Sequence, residues 1–229
     1  MFNQAEVEKV LGIKFKDAEL VKTAFTHRSY LNEHRRAKIE HNERLEFLGD
    51  AVLELVVTDY LFCSYPDKPE GELTSWRSAL VKTESLAELA EILGLGQYLL
   101  MSRGEAKSGG RNRVALLANL VEATLGAIYM DTGYDAASKF IHDHIIVKLP
   151  GILKEGAHID AKSHFQEIAQ ERDGITPSYQ VLEESGPDHD KQFIMGVYLG
   201  KKLLGKGGGS SKQAAQQAAA AKALEKYEK

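Results

Sequence analysis

The sequence contains few cysteine, proline and tryptophan residues. Its 229 residues include one cysteine, Cys63, five prolines and one tryptophan. A single cysteine excludes an intramolecular disulfide. It also excludes a zinc site that is built on a pair of cysteine thiolates. The chain also lacks an uninterrupted apolar run near the ~20 residues of a membrane span. Its start, MFNQAEVEKV, lacks the basic and apolar blocks of a signal peptide. We therefore expect a cytoplasmic protein without a membrane association.

Charge is distributed unevenly along the chain, although the net charge is only −4. Residues 1–150 carry 18 Lys and Arg against 22 Asp and Glu, whereas residues 151–229 carry 11 of each. Within the second part, residues 191–229 hold 8 basic and 2 acidic residues. Anionic polymers are bound by local patches rather than by the total charge, so the basic tail is a candidate for contacting a polyanion.

The pattern of apolar residues divides the chain into two parts. From about residue 5 to residue 148 the apolar residues recur at helical spacing, which predicts several packed helices. The stretch PGILKEG breaks this pattern and is typical of a linker. A predicted helix, Lys162–Arg172, is then followed by three strand-like runs and an alanine-rich helix that a serine caps. We therefore predict an all-α domain over residues 1–150, a linker over 151–159 and an α+β domain of order α-β-β-β-α over 160–229.

Acidic residues in the segment HNERLEFLGD are spaced as if to form a site. Glu43, Glu46 and Asp50 would project from one face of a helix, within about 60° of each other. A second predicted helix offers Asn119 and Glu122, which are also three residues apart. Oxygen ligands from two helices suit Mg²⁺, which can assist phosphodiester cleavage. The same spacing is also typical of the solvated side of a helix, so spacing alone does not decide.

The complete string NERLEFLGD resembles the signature of the ribonuclease III family nearly letter for letter. The resemblance continues in family order through THRSY, EGEL, LAELA, KSGG and VEA, and then into the C-terminal domain, so that it covers essentially the whole chain. It implies a homodimeric all-α nuclease that cuts double-stranded RNA with Mg²⁺, for which Mn²⁺ can substitute, and without an organic cofactor. Cleavage would leave 5′-phosphate and 3′-hydroxyl ends and serve RNA processing, including that of ribosomal RNA.

The resemblance also assigns roles to individual residues. The ligands of the metal ions would be four residues on two helices, namely Glu46, Asp50, Asn119 and Glu122. Asp50 and Glu122 would be catalytic, and Glu43 and Glu72 would support the site or contact RNA. Phe47 would pack across the two-fold axis of the dimer, although a phenylalanine on a helix is otherwise usually a core residue.

Asn119 departs from the family pattern, which more often has aspartate at this position. Asparagine can coordinate a metal ion through its carbonyl oxygen, but it contributes no negative charge. Two interpretations follow: the site tolerates a neutral ligand, or the chain is a double-stranded-RNA-binding protein that no longer cleaves. We favour the first, because the residues around Asn119 are those of an ordinary family helix.

The C-terminal α-β-β-β-α unit resembles a double-stranded-RNA-binding domain. Such domains recognise the shape of the duplex over about 16 base pairs through the minor grooves and the phosphates between them. By resemblance, Gln166 and His189 would reach the minor groove. Lys212 would meet phosphates at the start of the last helix, where the helix dipole also favours anions.

Two further features bear on RNA binding. The family usually has a second lysine where this chain has Gln213, and fewer cations release fewer counterions, so we expect a shallower salt dependence than in a lysine-rich relative. Lys107 lies in a basic segment, Arg103–Arg113, of the first domain. That segment is either a loop that contacts phosphates or an ordinary exposed connection.

Overall fold

The computed structural model describes residues 2–34, 39–155, 161–187 and 191–227. The chain divides into two compact units, Met1–His158 and Ile159–Lys229. The first unit contains the helices α1 (Gln4–Leu11), α2 (Ala18–Ala24), α3 (Arg28–Glu33), α4 (Glu43–Ser64), α5 (Glu70–Val81), α6 (Thr83–Ile92), α7 (Arg103–Lys107), α8 (Val114–Thr132), α9 (Tyr134–His144) and α10 (Leu149–Glu155). The second contains α11 (Ala161–Asp173), β1 (Ser178–Ser185), β2 (Gln192–Leu199), β3 (Lys202–Gly209) and α12 (Lys212–Tyr227). The predicted fold classes of both domains are confirmed.

Helices α4 and α8 form the central pair of the first unit, and glycines allow their backbones to touch. A side chain at Gly49 of α4 would overlap the backbone carbonyl of Glu122. A side chain at Gly126 of α8 would overlap the carbonyl of Leu45. Glycine inside a helix costs about 0.5–1 kcal/mol relative to alanine, and here it permits an approach that no other residue allows. This contact brings the acidic face of α4 beside α8.

Helix α8 is the most apolar element of the first unit. By length and composition it is the one helix in the described part of the chain that could cross a membrane. However, 56% of its apolar window is buried inside the unit, where it packs against α4 and α6. A helix that is apolar nearly all round is typical of the centre of a helical core, and this position accounts for the composition of α8.

The second unit is built on an antiparallel sheet of order β1-β2-β3, with α12 packed on β3. Alternate glycines of β3 face the helix: a side chain at Gly207 would overlap the backbone nitrogen of Ala219, and one at Gly209 would lie 2.7 Å from that of Ala215. Residues two apart in a strand share one face, so the glycines form a flat strip for the helix. The glycine-rich strand and the alanine-rich helix therefore pack backbone to backbone.

The connection between the two units differs from the sequence prediction. Residues 151–159 were expected to form a linker, but α10 continues through the first five of them. Leu149 is fully buried, and Ile152 and Leu153 pack against the core of the first unit. Pro150 lies in the first turn, where its missing N–H leaves no helical hydrogen bond unmade. The expected linker is therefore corrected over residues 151–155, because apolar contacts hold this segment as a helix.

Candidate active site

The crossing of α4 and α8 brings four of the predicted site residues together. Glu46 is half-buried and Asp50 exposed on α4, and Asn119 and Glu122 are half-buried on α8. The Asn119 side chain donates a hydrogen bond to the Glu46 carboxylate. Asp50 and Glu46 both lie close enough to Glu122 for their charges to act on it. We refer to these four residues as the acidic cluster.

The acidic cluster holds negative charge at an electrostatic cost. Burial, and then the charges of Asp50 and Glu46, raise the pKa of Glu122 to about 7. Burial, and then the charge of Glu43, raise the pKa of Glu46, and the hydrogen bond from Asn119 opposes this rise. Groups whose pKa is raised in this way take up either a proton or a cation.

The residues of the acidic cluster fit a divalent cation by their chemistry. Carboxylate and amide oxygens are the ligands that Mg²⁺ and similar hard cations prefer. A cation would also offset the repulsion that raises the pKa of Glu122. Within the described residues, no three His, Cys, Asp or Glu side chains are arranged to hold an ion.

The two supporting carboxylates predicted from the sequence lie in different places. Glu43 adjoins the acidic cluster through Glu46, on whose pKa its charge acts. Arg28 Nη1 lies 3.3 Å from one oxygen of Glu43, and His41 Nδ1 lies 3.8 Å from the other. Glu72, in the first turn of α5, forms an ion pair of 2.8 Å with Lys68 instead. Glu72 is not among the charges that act on Glu46 or Glu122.

Phe47 is not a core residue, because 80% of its surface is exposed. Leu55 and Phe62 of the same helix are also largely exposed, at 58% and 72%. Phe47 and Phe62 are separated by about 60° around the helix axis, so they belong to one face of α4. That exposed apolar face lies beside the face that carries the acidic cluster.

Part of the basic segment Arg103–Arg113 stabilises the fold rather than being free to contact RNA. Arg111 donates hydrogen bonds of 2.8 and 2.9 Å to two carbonyls of the 3-10 turn Leu95–Tyr98. Arg113 forms an ion pair of 2.6 Å with Glu105. These two arginines hold the segment together. Lys107, exposed at the end of α7, stays a candidate for contacting RNA.

Two of the predicted RNA-contacting residues of the second unit lie on its helices. Gln166 is exposed on α11, and Lys212 is the first residue of α12. The ammonium group of Lys212 lies 5.6 Å from the ring centroid of Phe193. Ser211 accepts a hydrogen bond of 3.1 Å from the backbone of the first turn, as a helix cap does. His189 lies outside the described residues.

Three contacts that matter for the sites were not predicted from the sequence. Gln216 accepts a hydrogen bond of 2.8 Å from Lys162 Nζ, and Gln217 accepts one of 3.1 Å from the backbone nitrogen of Lys162. These glutamines hold α11 against α12. The pairing of Arg28 with Glu43 was not predicted either, although Arg28 lies within the string THRSY. All three contacts join distant positions, so no local pattern reveals them.

Comparisons with known proteins agree with this arrangement. The sequence profile described as Ribonuclease-III-like matches residues 17–149, and that of the double-stranded RNA binding motif matches residues 161–227. A helical nuclease domain followed by an RNA-binding domain defines the class of the protein.

Individual relatives extend the match over nearly the whole chain. A protein named Ribonuclease 3 from Enterococcus faecalis is 46% identical over 96% of this chain and 95% of its own length. One from Lactococcus lactis subsp. cremoris is 46% identical over 97% of this chain and 96% of its own. A solved nuclease domain of ribonuclease III from Campylobacter jejuni has a TM-score of 0.59 and 40% identity, covering 65% of this chain and 99% of that one. The chain belongs to the ribonuclease III family.

Proposed function

We propose that this protein is an endoribonuclease that cleaves double-stranded RNA by metal-assisted hydrolysis of phosphodiester bonds. The observation that carries this conclusion is the acidic cluster on α4 and α8, present in one chain with a double-stranded-RNA-binding domain. Relatives that are 46% identical over most of the chain are named Ribonuclease 3, which favours cleavage over binding alone.

The acidic cluster would hold a divalent cation, which we assign as Mg²⁺ with Mn²⁺ as a substitute because the donors are oxygens. When bound, such an ion supplies an activated water and stabilises charge on the phosphate oxygens. The carboxylates of Glu46, Asp50 and Glu122 would bind it directly. Asn119 would serve in two ways: its amide N–H groups orient the Glu46 carboxylate, and its carbonyl oxygen is the neutral ligand.

The second unit would bring the duplex to this site. Gln166 on the exposed side of α11 would contact the minor groove, and Lys212 would meet a phosphate at the N-terminus of α12. His189 is assigned to the minor groove by the family resemblance, and Lys107 of the first unit to a phosphate. Contacts of this kind fix position on the duplex without reading its sequence.

We propose further that the protein acts as a homodimer joined along the exposed apolar face of α4. The Campylobacter jejuni nuclease domain is described as having a region involved in dimer formation. In this chain, an apolar cavity of about 460 Å³ opens near the end of α4 that is opposite to Phe47. It is lined by Thr58, Leu61, Phe62, Tyr65, Pro66, Lys68, Glu70, Leu73, Thr74 and Arg77. If two α4 helices pair antiparallel about a two-fold axis, each Phe47 approaches the cavity of its partner.

The products and the setting follow from this assignment. Two acidic clusters related by the two-fold axis would cut both strands of the duplex, leaving 5′-phosphate and 3′-hydroxyl ends with a short 3′ overhang. We assign the protein to RNA processing in the cytoplasm, with precursors of ribosomal RNA among its substrates. The non-cleaving alternative depends on Asn119 alone, because its neutral side chain stands where a charged ligand is more usual.

A comparison of substrates tests the proposed function. The purified chain is incubated with an end-labelled RNA duplex, with its single strands and with a DNA duplex of the same sequence, in Mg²⁺ or in chelator. We expect cutting of the RNA duplex alone, only with the metal ion, and products that phosphatase treatment shows to carry 5′-phosphates. Tight binding of the duplex without cutting, in either Mg²⁺ or Mn²⁺, would establish the non-cleaving alternative.

A further inference from the structure

Arg28 lies at the edge of the acidic cluster, yet the site described above gives it no function. It is the first residue of α3, and 70% of its side chain is exposed. Its guanidinium is paired with one oxygen of Glu43 at 3.3 Å. Glu43 in turn acts on Glu46, which accepts the hydrogen bond from Asn119. Arg28 is therefore the positive end of a row of polar groups that leads into the cluster.

The carboxylates of the acidic cluster repel the phosphates of an approaching RNA strand. Its phosphates must approach several carboxylates, in a part of the chain (residues 1–150) whose net charge is −4. Like charges at short range repel, and water screens them least where the groups are partly buried. A fixed cation beside the cluster gives the strand a favourable contact before it reaches the carboxylates.

Arg28 is held more loosely than two other arginines of the first unit, Arg77 and Arg111. Arg77 contacts both Glu54, at 2.9 Å, and Thr58, also at 2.9 Å, and only 33% of its side chain is exposed. Arg111 donates two short hydrogen bonds to backbone carbonyls. Exposed ion pairs such as that of Arg28 with Glu43 stabilise a protein little, so the pair can be exchanged at small cost.

We propose that Arg28 binds a phosphate of the RNA strand that enters the acidic cluster, and that Glu43 is its partner only in the free protein. The planar guanidinium can offer two N–H groups to two phosphate oxygens, whereas its pairing with Glu43 joins one nitrogen to one oxygen. The phosphate thus replaces Glu43 without leaving a buried charge unpaired. This inference rests on the proposed function, because it concerns binding of the same substrate.

The salt dependence of duplex binding tests the proposal. Binding of an RNA duplex is measured in chelator, so that nothing is cut, over a series of salt concentrations. We expect Arg28→Ala to weaken binding by roughly 3- to 10-fold. The slope of log K against log salt should become shallower by about 0.9 for each phosphate that the variant leaves without a cation. Arg28→Lys should retain the slope. The matched control is Lys139→Ala, which removes an equally exposed cation paired with Asp143 on α9 and should change neither quantity.

Repeating the measurement in a Glu43→Ala protein distinguishes a direct contact of Arg28 with a phosphate from an indirect effect of Arg28 through Glu43. In a Glu43→Ala protein, removal of Arg28 should still reduce the slope if Arg28 meets a phosphate. Absence of the effect in that background, or an unchanged slope in the single variant, would overturn the proposal. Thermal unfolding of each variant shows whether the fold is retained. Failure of the proposed function is recognised separately, because the unaltered protein would then fail to cut the duplex in Mg²⁺ even where it binds.

Discussion

Glu122 is the residue whose environment departs most from that of an ordinary surface carboxylate. It lies inside the apolar stretch of α8, and the backbone contact with α4 places it against Asp50 and Glu46. Burial disfavours its charged form, and its two neighbours add to the effect, which together raise its pKa to about 7. A helix with no other function would gain from a neutral residue here, so the charge points to a ligand.

The raised pKa of Glu122 makes the stability of the metal-free protein depend on pH. The unfolded chain loses this proton near the ordinary value of 4.5, whereas the folded protein keeps it until about pH 7. Stability should therefore fall as pH rises from about 4.5 to 7, by roughly 1–2 kcal/mol once solvent screening is considered. Glu122→Gln should weaken this dependence in urea unfolding carried out in chelator, leaving the smaller part that the raised pKa of Glu46 contributes. Glu19→Gln, at an exposed site on α2, is the control and should leave the dependence unchanged.

Asn119 is predicted to be a tolerated ligand. Asn119→Asp adds a charge to the cluster, which should lower the Mg²⁺ concentration needed for half-maximal cutting several-fold. The maximal rate should change by less than about tenfold, because the other three ligands remain. Rates of duplex cutting over a Mg²⁺ series give both quantities. A rise of several hundredfold in the maximal rate would mean instead that Asn119 disables the site.

At the scale of the elements, the contact between α4 and α8 positions the acidic cluster. Gly126→Ala places a methyl group against the carbonyl of Leu45, so the helices must move apart. We expect a decrease of about 1–3 kcal/mol in the free energy of unfolding, as for overpacked cores, together with slower cutting. Denaturant unfolding and a cleavage assay measure the two effects. The control, Gly71→Ala in α5, meets nothing within 4 Å and should leave stability unchanged or slightly raised.

The elements also show how far local sequence patterns determine the structure. Helical spacing was sufficient to predict that Glu46 and Asp50 share a face, because periodicity is a local property. It was not sufficient for α10, whose helix depends on contacts of Ile152 and Leu153 with a core formed elsewhere in the chain. The pairing of Lys162 with Gln216 joins positions 54 residues apart, and only the fold brings them together.

At the scale of the whole molecule, the acidic cluster and the exposed apolar face of α4 would link cleavage of RNA to dimer formation. Exposing 80% of Phe47, a large apolar residue, to water is unfavourable, and the exposure is explained if a second copy of the chain covers it. Because the cluster lies on the neighbouring face of the same helix, pairing of two copies would place two clusters beside one duplex. Cutting of both strands would then depend on dimer formation.

Phe47→Glu should therefore separate the copies and abolish cutting of both strands. A charge at this position cannot be buried against an apolar cavity without a large desolvation cost. Sedimentation of the variant should give the mass of a single chain, while that of the unaltered protein corresponds to two. Ile92→Glu, which alters another largely exposed apolar residue, is the control. Dimers of undiminished stability in the Phe47 variant would show that the interface lies elsewhere.

The function of the whole molecule depends on whether the acidic cluster cuts RNA. The most direct measurement uses an end-labelled RNA duplex of ~40 base pairs, which is longer than the footprint of one RNA-binding domain. The purified chain and its Glu122→Ala variant are compared in Mg²⁺ and in chelator. We predict cutting of both strands by the unaltered chain in Mg²⁺ alone, and binding without cutting by the variant. Equal cutting by both proteins, or none by either despite tight binding, would contradict the assignment of the cluster as the active site.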